Sequence, residues 1–81
     1  MEKRVAVLGI IVEDSASAPK VNEILHEYSD FIIGRMGIPY AAKGINIISI
    51  AVDAPMDVIN ALSGKIGRIS GVSAKAACSA K

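Results

Sequence analysis

Apolar residues recur along this chain with two periods, and the places where the period changes mark the elements. Arg4 to Val12 is a nearly unbroken β-branched and apolar run closed by Glu13-Asp14-Ser15, which predicts a strand followed by a loop. Ser17 stands where a helix cap belongs, and Pro19 falls in the first turn, where its missing N–H costs little. Val21, Ile24, Leu25 and Tyr28 then recur at helical spacing and place one apolar stripe on a helix of about three turns. Phe31 to Ile38 reads as a second strand and Ile45 to Asp53 as a third, joined by the hairpin-length segment Pro39-Tyr40-Ala41-Ala42-Lys43-Gly44. Asp53-Ala54-Pro55 repeats the helix-start pattern, and Met56, Ile59, Leu62 and Ile66 form a second stripe, with Gly64 inside that helix or near its end. Gly71 opens the last strand, Val72 to Ala77.

The predicted order is β-α-β-β-α-β. Each β-α-β half demands a crossover, and the hairpin joins the halves. The simplest closed solution is an α+β, ferredoxin-like fold: a four-stranded antiparallel sheet with both helices on one face.

The strand faces carry a second message. In the first strand Val5, Val7 and Ile11 alternate with Ala6, Leu8, Ile10 and Val12, so both faces are apolar. In the third, Ile48, Ile50 and Val52 alternate with Ile45, Ile47, Ser49 and Ala51. The last strand sets Val72, Ala74 and Ala76 against Ser73 and Lys75 and reads as an edge. The first and third strands are therefore expected at the centre. The helices cover only one face, and an open face this apolar exceeds what monomers usually expose. A homo-oligomer, dimer or tetramer, is the expected state.

Composition narrows the class. Eighty-one residues make one domain, residues 1–81, with 52% hydrophobic and 21% charged residues to bury and to solvate. The core must be aliphatic, because Phe31, Tyr28 and Tyr40 are the aromatics. Nine basic residues face eight acidic ones, a net charge of +1, and Lys3-Arg4 is the one basic cluster. That balance disfavours direct nucleic-acid binding. A lone Cys78 makes no intrachain disulfide. Val5 to Val12 is too short to span a bilayer, so no membrane association and a cytoplasmic location are expected.

Candidate chemistry is sparse. His26 sits on the first helix opposite the stripe, beside Glu23, Glu27 and Asp30, and Cys78 lies on another element, so no metal site or cofactor is expected. No nucleophile–base pairing and no Gly-rich phosphate loop is present, and no catalytic residue is assigned. Acylphosphatases cradle phosphate with an arginine in the first β-α loop, whereas Glu13 to Pro19 is acidic and has none. Ser15 and Ser17 precede a helix N-terminus, where they either assist an anion or simply cap the helix.

The most distinctive stretch is Gly34-Arg35-Met36-Gly37-Ile38-Pro39-Tyr40. Strict alternation places Arg35 on the face of Phe31 and Ile33, and Met36 with Ile32, Ile38 and Tyr40. Gly34 and Gly37 fall on opposite faces, each leaving a gap beside a long side chain, and a strand glycine often marks a bulge. Arg35 beside such a gap is suited either to a small anionic ligand or to an ion pair across a subunit contact. Gly34, Arg35, Met36, Gly37 and Tyr40, with Ser15 and Ser17, are the candidate ligand- or partner-binding residues.

The segments RVAVLGIIVED, VNEILHEYSDFIIGRMGIPY, GINIISIAVDAP and GKIGRISGVSAKAA run in order over nearly the whole chain. Together they resemble the small ACT-like proteins grouped as iron-only hydrogenase system regulators. The resemblance implies a ferredoxin-like fold similar to the C-terminal domain of nickel-responsive repressors, and assembly as dimers or higher oligomers. It also implies a genomic association with the maturation proteins of iron-only hydrogenases in anaerobic bacteria. The His and Cys cluster of the nickel repressors has no counterpart in this sequence, and their ribbon-helix-helix DNA-binding domain is not expected here. Amino-acid-binding ACT domains usually place a glycine in the first β-α loop, where this chain has Ala18-Pro19. The expectation is a non-enzymatic, oligomeric regulatory or ligand-sensing module linked to the iron-only hydrogenase system. The alternative is a protein-interaction factor that assists hydrogenase maturation without a small-molecule ligand.

Overall fold

In the computed structural model, which describes residues 2–80, the elements follow in the order β1 (Lys3–Val12), α1 (Ala18–Glu27), β2 (Ile32–Tyr40), β3 (Ile45–Pro55), α2 (Met56–Gly67) and β4 (Val72–Cys78). The strands form one antiparallel sheet in the order β2-β3-β1-β4. The two strands that are apolar on both sides, β1 and β3, are the central pair, in register from Lys3↔Pro55 to Val12↔Asn46. The fold is the expected α+β, ferredoxin-like one.

One face of the sheet carries the core. Ala6, Leu8, Ile10 and Val12 of β1 and Ile48, Ile50, Val52 and Ala54 of β3 are buried with Val21 and Leu25 of α1 and Ile59, Leu62 and Ile66 of α2. Both helices therefore cover this face, with their stripes pressed onto it. Each large aliphatic side chain buried here stabilises the fold by about 1.5–3 kcal/mol before entropy is counted.

The turns at one end of the sheet are bound together. A 3-10 turn over Ser15–Ser17 follows β1, and Asp14 Oδ1 accepts from the Ala16 N–H at 3.0 Å. This turn lies against the one that precedes β4. The Glu13 N–H donates to the Gly71 carbonyl at 2.7 Å, and Ser17 Oγ donates to the Ser70 carbonyl at 2.7 Å. Gly71 has φ +73, and a Cβ there would lie 2.7 Å from the Asp14 Cβ, so close approach and backbone conformation both demand glycine.

Three local expectations change. Ser17 takes the N-cap position of α1, but the preceding 3-10 turn has already given it a helical backbone (φ −87, ψ −12). Its hydroxyl makes no cap bond and turns to Ser70 instead. Asp53-Ala54-Pro55 belongs to β3 rather than to a helix start, because these residues still pair with Lys3, Arg4 and Val5. The carboxylate in the first turn of α2 is Asp57, which accepts from the Val58 N–H at 2.9 Å. The second strand begins at Ile32, after a 3-10 turn over Ser29–Phe31, and runs on to Tyr40, leaving a loop of 41–44 that Gly44 closes at φ +66.

The largest correction concerns which way β2 faces. Ile32 lies opposite Val52, but the next partner of Ala51 is Gly34, so Ile33 is the extra residue of a β-bulge. A one-residue insertion flips every side chain beyond it. Arg35 pairs with Ile50 and shares the helix-covered face with Ile32, Gly37 and Pro39, not with Phe31 and Ile33. Met36 shares the open face with Gly34, Ile38 and Tyr40, and Ile32 is not among them.

Candidate functional site

β2 is an edge strand, and from Ile33 to Tyr40 every residue is exposed. On its helix side it does not close against α1, and a groove of about 290 Å³ remains between them. Asn22 projects from α1 and Arg35 from β2, and an Arg35 Nη2–H donates to Asn22 Oδ1 across the gap. Gly37 and Asn46 line the groove, with Ile48 as an almost fully buried floor and Ala18 and Pro39 beside it. A Cβ built on Gly37 meets nothing within 4 Å, so the missing side chain leaves open space. A second depression of about 410 Å³ shares Asn22 and Arg35 with the groove and is lined also by His26, Ser29, Leu25 and Ile32.

Asn22 and Asn46 were not among the expected site residues. Asn46 had a signal: it is the one polar residue in the alternating series 46, 48, 50, 52, 54, whose other members are core. Asn22 had none, since its partner lies thirteen positions away on a strand that the bulge reorients.

The opposite, open face of the sheet is a separate surface. Val5 and Val7 of β1 are 43% and 45% exposed, and Met36, Ile38 and Tyr40 of β2 are 56%, 44% and 46% exposed. Register brings Ile11, Ile45, Ile47, Ser49 and Ala51 between them, with Asp53 and Lys75 on the same face. Gly34 lies here, where a Cβ would make an ordinary 3.9 Å contact with Ala51. The heptad thus divides: Arg35 and Gly37 belong to the groove, and Gly34, Met36 and Tyr40 to the open face.

Ser15 and Ser17 join neither surface. Ser15 is exposed in the 3-10 turn, while Ser17 is buried with its hydroxyl on Ser70. Among the described residues, no three His, Cys, Asp or Glu side chains gather as a metal-binding group. None of the described helices is long and apolar enough to cross a membrane. At the C-terminal end of α1, Lys65 Nζ lies 5.1 Å from the Tyr28 ring centroid and 3.7 Å from Glu27 Oε2. Tyr28, first through a hydrogen bond, and then the Glu27 carboxylate hold the Lys65 ammonium above its ordinary pKa of 10.5.

The four-stranded antiparallel sheet with two helices on one face is a ferredoxin-like fold, the architecture that ACT-like domains share. The sequence places it further: residues 4–76 match the TM1266-like family, described as "Iron-only hydrogenase system regulator, putative", and the chain belongs to that family. The solved structure of the uncharacterized protein TM1266 from Thermotoga maritima is similar at 40% identity and a TM-score of 0.91. The match covers 95% of this chain and 98% of that one. A formyltetrahydrofolate deformylase from Pseudomonas putida KT2440 superposes with a TM-score of 0.64 at 11% identity, over 90% of this chain and 28% of its own length, a likeness of fold alone. No curated protein sequence matches the chain.

Proposed function

We propose that this protein is a non-enzymatic regulatory module of the iron-only hydrogenase system that works as a homo-oligomer, dimer or tetramer, assembled through the open face of its sheet. The observation that carries the reading is that face: five large apolar side chains from β1 and β2, each 43–56% exposed, on one continuous surface. Such a patch is the usual mark of a protein–protein contact. Membership of a family described as regulators supports a signalling role over a catalytic one. In this reading a cytoplasmic oligomer senses a small ligand in a cleft of each subunit and alters its contacts with the hydrogenase system's other proteins.

The test is sedimentation of the purified chain at micromolar concentration. A dimer or tetramer is expected, and a monomer overturns the reading. A thermal-shift screen that stays silent, together with capture of a hydrogenase maturation protein, would instead support an interaction factor with no small ligand.

A further inference from the structure

We propose that the groove between α1 and β2 is a binding site for a small aliphatic carboxylate held by the Arg35 guanidinium. The inference rests on the ligand-sensing part of the reading above and names the ligand class.

The groove's charge comes from one residue. Of its lining residues Arg35 alone is ionisable, so the site carries a single positive charge. Among the described residues Arg35 makes no ion pair; its hydrogen bond goes to Asn22 Oδ1, a neutral acceptor. A guanidinium has five N–H donors, and one amide oxygen leaves most of them for another acceptor. Because arginine only donates, Asn22 must present its oxygen to Arg35, which places its NH₂ donors beside the cation. The bridge also holds the guanidinium across the mouth of the groove, so less side-chain freedom is lost when a ligand arrives.

The remaining surface suits a short apolar body. Ile48 forms the floor, Ala18 and Pro39 stand beside it, and Asn46 offers an amide at the other end. Gly37 supplies the room: its φ is not positive and a Cβ there would touch nothing, so the backbone does not require glycine at this position. A volume of about 290 Å³ lies at the small end of ligand pockets. One planar fork with one charge matches the two oxygens of a monoanionic carboxylate. A phosphate dianion would want a second cation, and the lining has none.

The full chain, isotope-labelled, is titrated with isovalerate and separately with inorganic phosphate while backbone amide signals are followed. Isovalerate is expected to shift the amides of residues 22, 35–37 and 46–48 saturably, and phosphate to leave them unmoved. Arg35→Met should weaken isovalerate about tenfold or more, the loss of a charge-assisted hydrogen bond. Asn22→Asp keeps the side-chain shape but sets a carboxylate on the guanidinium as an internal competitor, and Gly37→Val fills the open space; both should abolish the titration. All three variants should sediment as the wild type does. The proposal is overturned if groove amides do not move, if Arg35→Met binds as tightly as the wild type, if Gly37→Val still binds, or if phosphate moves the same amides as tightly. An assembled oligomer with a silent groove sinks this inference alone. A monomer that still binds isovalerate there sinks the assembly reading alone.

Discussion

Val7→Asp separates the stability of the subunit from that of the proposed assembly. Val7 lies on central strand β1, points to the open face and is 45% exposed in the single chain. Fully burying a valine is worth about 1.5 kcal/mol, so roughly half of that, about 0.7 kcal/mol, remains to be gained when a partner covers the face. Aspartate forfeits this gain and brings a carboxylate whose desolvation costs several kcal/mol, of which about 2–3 kcal/mol survives partial hydration. The sum is about 3 kcal/mol per copy. A twofold contact contains the residue twice, giving about 6 kcal/mol, or about 10⁴-fold in the dissociation constant. Within the monomer the carboxylate points to water, and the strand loses at most about 1 kcal/mol of β-propensity. Sedimentation at micromolar concentration should therefore show a folded monomer for Val7→Asp, with circular dichroism like that of the parent. An unchanged sedimentation coefficient would refute the claim that this face assembles the protein.

Three further outcomes follow from the geometry. Gly71→Ala forces φ +73 on a side-chain-bearing residue and drives a Cβ to 2.7 Å from Asp14, whereas Gly44→Ala meets only the strain of φ +66. Urea unfolding should show losses of about 3 kcal/mol for the first and about 1 kcal/mol for the second, and equal losses would contradict the clash. Ser17→Ala removes the hydroxyl that satisfies the Ser70 carbonyl and should cost about 1 kcal/mol in the same assay, with the α1 helix content retained. For Lys65 the folded pKa is raised, so its contribution is complete below the ordinary value of 10.5 and disappears as pH climbs through the raised one. Side-chain NMR titration should place the Lys65 midpoint above 10.5, and Lys65→Met should lose this contribution at neutral pH and flatten the stability profile in the alkaline window.

What the sequence determined by itself is the set of elements and the identity of the core. β1 and β3 are apolar at both phases of their alternation, which only central strands can use, and the stripes of α1 and α2 fall on residues that are buried in the core or packed against it. These patterns are local: period two or period 3.6 is read along the backbone without knowing what lies across from it. What the tertiary structure decided is the direction of the candidate-site side chains. The bulge at Ile33 depends on how β2 registers against β3, and that one inserted residue sends Arg35 toward α1 and Met36 toward the open face. Ser17 gave up its cap bond for a carbonyl 53 positions away, and Arg35 found Asn22 across thirteen. Contacts of that kind arise only when loop closure brings distant segments together, and no spacing along the chain encodes them.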